Sequence, residues 1–143
     1  MIKKVIDLEK IQNNNPIMKK LLILLFSLLI SFNSYGEWER IIDNSDGDTF
    51  YLDRDLIKKH GGFVYYWEMT DYLIPSEYGI MSGKLYKQGD CGVNREKHLS
   101  FVFYEQPMGE GSGKTMTPPD EWVYPTPDSV GGIMLKYACD YVD

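Results

Sequence analysis

The sequence predicts an α+β domain in which several short β-strands precede one C-terminal amphipathic helix. Three observations carry that expectation. Phe63-Val64-Tyr65-Tyr66-Trp67-Glu68-Met69 gathers four aromatics and a valine, which suit a pleated surface far better than a helix. From Val130 onward the apolar residues Ile133, Met134, Tyr137, Ala138 and Tyr141 recur at helical spacing. Cys91 and Cys139 are the only cysteines, and they put one sulfur after the strands begin and the other inside that helix.

Ahead of this domain stands an export leader. Met18-Lys19-Lys20 is basic, residues 21–32 form a short apolar run, and Asn33-Ser34-Tyr35-Gly36 supplies small residues. A spanning helix needs about 20 apolar residues to cross a hydrocarbon core of about 30 Å, so cleavage is expected rather than anchoring. Ser34 and Gly36 occupy the positions a signal peptidase reads, which puts the cut after Gly36. Residues 1–17 are polar, carry the helix-breaking Asn13-Asn14-Asn15-Pro16, and hold too few apolar groups to pack as a unit. Met18 opens a complete signal by itself, so the true start is Met1 or Met18. The expected organisation is a signal region over 1–36 and one domain over 37–143, large enough for a single modest core.

Of the 21 acidic and 15 basic side chains, two and five precede Glu37, which leaves 19 and 10 and a net charge of −9 against −6 for the whole chain. Such a domain is repelled by nucleic acid and by anionic lipid, so neither is an expected partner. Solubility of an exported protein is the simplest use of the acidity. An even pair of cysteines in an oxidising compartment reads as one disulfide. A metal pair and a thiolate nucleophile compete with it, but Asp90 beside Cys91 disfavours a thiolate and neither cysteine belongs to a C-x-x-C unit.

The elements follow in order. Residues 37–42 and 49–53 alternate bulky and charged or β-branched side chains and read as a hairpin, with Asp43-Asn44-Ser45-Asp46-Gly47-Asp48 as its turn. Residues 53–60 suit one helical turn with Asp53 as N-cap and Gly61-Gly62 as its stop. The aromatic strand over 63–69 belongs centrally in the sheet, residues 74–79 connect it onward, and another strand falls within 80–87. After the turn at Gly89-Asp90-Cys91-Gly92 comes a strand over 97–105, with Leu99, Phe101 and Phe103 on one face and His98, Ser100 and Val102 on the other. Residues 107–119 read as a mobile loop rich in Gly and Pro. Trp122-Val123-Tyr124 returns to the core, and Pro125-Thr126-Pro127-Asp128-Ser129 opens the terminal helix. Gly131 and Gly132 should weaken that helix by about 1 kcal/mol each relative to Ala.

No catalytic, cofactor or metal constellation emerges. Gly113-Lys114-Thr115 resembles the end of a phosphate-binding loop, but Met108 stands where the first glycine is required and Pro118-Pro119 forbids the helix that should follow. Asp43, Asp46 and Asp48 resemble a calcium loop in composition, yet counting back from Gly47 puts Ile42 at the first ligand position. His60 and His98 have no ligand or triad context and read as ordinary strand or surface residues. A hydrolase has no supporting residues beyond unplaceable carboxylates. The aromatics exceed what a small core needs: with three Trp and eleven Tyr, part of them could form an exposed interaction face. Tyr65, Trp67, Tyr104 and Trp122 are the candidates, and packing beneath the helix is the competing account.

Taken in order, Trp38, then Phe50-Tyr51-Leu52-Asp53 with Ile57, the aromatic strand ending near Trp67, Ser82-Gly83-Lys84, Asp90-Cys91 with Arg95, residues 99–104, Met108-Gly109-Glu110-Gly111, residues 122–127 and the helix bearing Cys139 resemble the surface-adhesin protein E family of bacterial exported domains. The resemblance covers residues 37–141. It implies a curved, half-barrel-like antiparallel sheet to which the C-terminal helix is held by the Cys91–Cys139 disulfide. It also implies no enzymatic activity and no cofactor, adhesion to host extracellular-matrix or serum proteins, and a capacity to form a homodimer. The family's namesake is lipid-anchored, whereas no cysteine ends this leader, so the expectation here is a periplasmic, secreted or surface protein without a lipoprotein anchor. A soluble periplasmic envelope protein with no host ligand is the alternative.

Overall fold

The computed structural model describes residues 15–30 and 37–143, and the chain divides into two compact units, Met1–Tyr35 and Gly36–Asp143. The predicted cleavage segment at residues 33–36 and most of the polar stretch before Met18 lie outside the described residues. In the first unit a helix, α1 (Pro16–Ile30), begins two residues before Met18. Asn15 Oδ1 accepts from the amide of Ile17 and Pro16 takes the first helical position, so the Asn-Pro pair read as a breaker serves as a start signal. At 1.5 Å per residue its 15 residues reach roughly 22 Å. Among the described residues no helix is long and apolar enough to cross a membrane.

The second unit is a seven-stranded antiparallel sheet with one helix docked on it. Its strands are β1 (Trp38–Asp43), β2 (Thr49–Asp53), β3 (Lys58–His60), β4 (Phe63–Asp71), β5 (Ser82–Asp90), β6 (Arg95–Tyr104) and β7 (Lys114–Met116), and the helix is α2 (Val130–Tyr141). Neighbours run β1-β2-β4-β5-β6-β7, with β3 beside β4 further along the edge that β2 occupies. The first hairpin closes as its turn chemistry demands: Asn44 Oδ1 accepts from the amides of Asp46 and Asp48, and Gly47 takes φ +86°. A predicted helical turn and a predicted loop each contain a short strand instead. The helical turn after Asp53 is a single 3-10 turn (Arg54–Leu56) capped by the Asp53 carboxylate, and the chain then extends as β3. The glycine-rich stretch carries a second 3-10 turn (Pro107–Gly109) and β7, which pairs with Phe101, Val102 and Phe103.

One helix-facing layer forms the core. Leu52, Ile57, Val64 and Tyr66 from the sheet side pack against Met134, Leu135, Ala138 and Cys139 of α2. The helix starts at Ser129, whose hydroxyl accepts from the amide of Gly132 at 3.1 Å. The Cys91–Cys139 disulfide, with Cα atoms 5.8 Å apart, ties the β5–β6 turn to the helix's last turn. Gly89 lets the helix approach: a Cβ there would stand 2.5 Å from Leu135 Cδ1 and 2.8 Å from Val64 Cγ1.

Gly132 also differs from its reading in the sequence. The lead-in to α2 passes so close that a Cβ at this position would fall onto the carbonyl oxygen of Thr126 and lie 3.0 Å from the Pro127 Cα. Gly132→Ala is therefore expected to destabilise the domain by about 1–3 kcal/mol, although Ala is the better helix former. Thermal unfolding of this variant checks the sign; a rise in the midpoint would contradict the close approach.

Candidate functional site

Strand alternation gives the sheet two faces of different character. Val64, Tyr66 and Glu68 point toward the helix side, and Phe63, Tyr65, Trp67 and Met69 point away. Through the β4–β5 and β5–β6 registers the outward set continues into Tyr86, Lys84, Ser100, Val102 and Tyr104. All four sequence-nominated residues, Tyr65, Trp67, Tyr104 and Trp122, belong to this side, and each is half-exposed. Of the aromatics just named, Tyr66 is the one packed beneath the helix.

The rings on this side form two contacting groups. Trp67 stacks on Tyr86 with centroids 4.9 Å apart, and Tyr86 lies 6.3 Å from Tyr65. At one end Phe63 meets Trp122 at 5.8 Å. Trp122 sits under two cations, the Arg95 guanidinium at 4.1 Å and the Lys97 ammonium at 4.9 Å from its centroid. This segment was expected to return to the core. Instead Val123 pairs with Glu96 at the sheet edge through two 2.8 Å backbone bonds, while Val123 and Tyr124 remain exposed.

At the other end Lys84 projects into a groove of about 530 Å³. Its ammonium lies 5.4 Å from the Trp38 centroid and 5.1 Å from that of Tyr104. Trp38 stands on β1 and Tyr104 on β6, four strand spacings apart, which in a flat sheet is about 19 Å. One ammonium near both rings requires the sheet to curl toward this face. Trp67, Leu56 and Val102 complete the apolar lining, and Asp53 and Asp55 bring carboxylates. The Pro107–Gly109 turn caps the neighbouring stretch of the face: the Met108 amide donates to Asp71 Oδ1 at 2.7 Å and the Gly109 amide to Ser82 Oγ at 2.8 Å. This part of the glycine-rich segment is anchored by side-chain acceptors on β4 and β5.

On the helix side lies a buried charged cluster that sequence reading missed. Lys87 Nζ is 2.7 Å from Glu68 Oε2 and 3.1 Å from Glu96 Oε1, with all three side chains at 7% exposure or less. The first contact is an ion pair off the hydrogen-bonding axis, and Glu68 Oε2 has no hydrogen bond in the structure. Tyr66 donates to Glu96 Oε2 at 2.9 Å, and His98 Nε2 lies 3.2 Å from Glu96 Oε1. Burial alone would lower the Lys87 pKa, but the two carboxylates reverse this and hold it above 10.5. Burial would raise the Glu96 pKa, yet bonds from His98, Lys87 and Tyr66 bring it below 4.5. Burial, with Glu96 and Glu68 beside it, pushes the Tyr66 phenol well above 10.

His98 joins this cluster because Leu99 is an extra residue. Ser100 pairs with Tyr86 and His98 with Lys87, so the register slips by one and His98 shares the face of Phe101 and Phe103 rather than that of Ser100 and Val102. Its ring meets Phe101 edge-on at 6.4 Å. A strict two-residue period cannot reveal such a bulge. Among the described residues no group of three or more His, Cys, Asp or Glu could hold a metal ion. Two of the three acids of the first turn are engaged otherwise: Asp43 pairs with Arg40, and Asp48 accepts from the Leu73 amide at 3.0 Å.

Residues 38–140 match the protein family described as Surface-adhesin protein E. Among solved structures, crystal form II of Haemophilus influenzae protein E is similar at a TM-score of 0.57 and 18% identity, covering 78% of this chain and 94% of that one. The selenomethionine form of the same Haemophilus influenzae protein gives 0.55 at 18% identity, covering 76% and 89%. A further structure of that protein gives 0.53 at 17% identity, covering 76% and 87%. These likenesses concern the fold. No curated protein sequence matches the chain.

Proposed function

From the premise that this chain belongs to the surface-adhesin protein E family, we propose that it is a non-enzymatic, exported protein-binding domain. Its partner is a host extracellular-matrix or serum protein, and its binding face is the one bearing Tyr65, Trp67, Tyr104 and Trp122. Residues 1–36 are its leader, removed after Gly36, and residues 37–143 act at the cell surface without a lipid anchor. The observation that carries this reading is the number of half-exposed rings that share the side of the sheet away from the helix. Aromatic side chains lose little entropy on ordering and dominate binding hot spots. Lys84, Arg95 and Lys97 lie on the same face of a strongly acidic domain. Arg95 and Lys97 are paired with Asp90 and Asp120, which leaves Lys84 as the cation of this face open to a partner's carboxylate.

The test is binding of the purified native protein to immobilised laminin and vitronectin, with Trp67→Ala and Trp122→Ala alongside. Each substitution is expected to weaken binding at least about tenfold, or about 1.4 kcal/mol, with the circular dichroism spectrum unchanged. Affinity indifferent to both substitutions would remove these rings from the interface. Absence of binding, together with release of the protein by osmotic shock and resistance to protease on intact cells, would favour a periplasmic accessory role.

A further inference from the structure

The geometry points to a carboxylate pocket at Lys84: a peptide carboxylate carried beside an apolar side chain seats its charge on the Lys84 ammonium and its apolar group against Trp38, Trp67 and Tyr104. This inference rests on the protein-binding reading of the same face and names what the partner presents to it.

The charge pattern of the domain supplies the reason. Residues 37–143 contain ten lysines and arginines, and among the described residues eight of them lie within ion-pair distance of a carboxylate. Lys58, one of the remaining two, is exposed to water. Lys84, the other, is withdrawn among rings and makes one long contact, 3.5 Å to the Gly109 carbonyl oxygen. An ammonium has three donors, and among the described residues one protein acceptor meets this one, in a site partly screened from water. Burial lowers the Lys84 pKa, an effect that nearby Asp53 offsets in part. A ligand carboxylate would relieve that cost, because an ion pair gains strength where water is partly excluded.

The nearby acids do not fill the role. Asp53 is buried, and its carboxylate is occupied in capping the 3-10 turn through the Asp55 amide at 3.1 Å. Asp55 is exposed and lines the groove, where it can accept a peptide N–H from the same ligand. The exposed Leu56 and half-exposed Val102 extend the apolar surface beside the rings. Cation, acceptor and apolar wall thus lie within one groove, which is the complement of a short acidic or C-terminal peptide segment.

Nitrogen-15 NMR of the native protein, titrated with N-acetyl-phenylalanine and with its neutral amide, tests this. The acid should shift the indole N–H signals of Trp38 and Trp67 saturably and bind at least tenfold more tightly than the amide. A second pair, acetyl-phenylalanyl-glutamate amide against the glutamine analogue, distinguishes a side-chain carboxylate from a chain terminus. Preference for the acid in either pair supports the pocket. Lys84→Met should bring acid and amide to within twofold, whereas Lys84→Arg should keep the preference. Equal binding in both pairs, no binding, or shifts confined to other residues would overturn the inference. Loss of laminin or vitronectin binding in Trp122→Ala, at the far end of the face, would still stand for the broader reading.

Discussion

Lys87→Met is expected to cost the domain about 3–5 kcal/mol at neutral pH, because it leaves Glu68 and Glu96 buried without their shared cation. A methionine fills similar volume, so the loss is electrostatic rather than a cavity effect. The pH dependence separates the two. In the native protein the Glu96 pKa lies below its unfolded value of 4.5, so its contribution is complete above that pH and is lost as acid carries the pH down through the folded value. The Lys87 pKa lies above 10.5, so its contribution is complete below that pH and is lost as alkali takes the pH up through the folded value. In the variant the ammonium no longer lowers the Glu96 pKa while the bonds from His98 and Tyr66 remain, so the folded value lies higher than in the native protein. As the pH falls through 4.5 the native protein should therefore lose more stability than the variant does. Urea unfolding across that pH reads the two slopes, and parallel curves would show that the ion pairs do not govern this region.

Cys139→Ser is expected to lower stability by about 4 kcal/mol in the chain-entropy account of a crosslink spanning 48 residues. That approaches the whole net stability of a small domain. The loss should be uneven. The sheet is held by its own ladders of backbone bonds, whereas α2 rests on Met134, Leu135, Ala138 and the crosslink, and carries two glycines in its first turn. Hydrogen exchange should therefore show helix amides opening well before those of β4 and β5. Equal loss of protection in both would mean that the helix and sheet form a single cooperative unit without the sulfur bond.

The central elements could be read from the residues because their patterns are long. β4 carries an unmistakable aromatic density, and α2 has three turns of apolar spacing with Ser129 ready as its cap. β3 and β7 could not be read, since Lys58-Lys59-His60 and Lys114-Thr115-Met116 have no apolar alternation and are exposed. They exist because β4 and β6 present backbone groups to pair with. Leu135 escaped the helical reading although it is buried, whereas Tyr141, counted on the apolar face, is largely exposed.

The four nominated surface residues illustrate both sides of the matter. Tyr65 and Trp67 share a face by simple alternation, which strand period alone predicts. Tyr104 and Trp122 join them through pairing register and a sheet-edge bridge. Lys84 gave no signal, because a single lysine in a strand looks like any solvated charge until rings from β1 and β6 are brought beside it.

By itself the sequence determined the class of this protein: strands before a helix, one crosslink between them, acidity and an excess of rings, all properties of local pattern and composition. The tertiary structure alone decided which rings face outward together, how an inserted residue at Leu99 delivers His98 to a buried ion cluster, and how Lys84 comes to lie between rings of β1 and β6. Those outcomes depend on register and on the curl of the sheet, which arise from contacts between residues far apart in the chain.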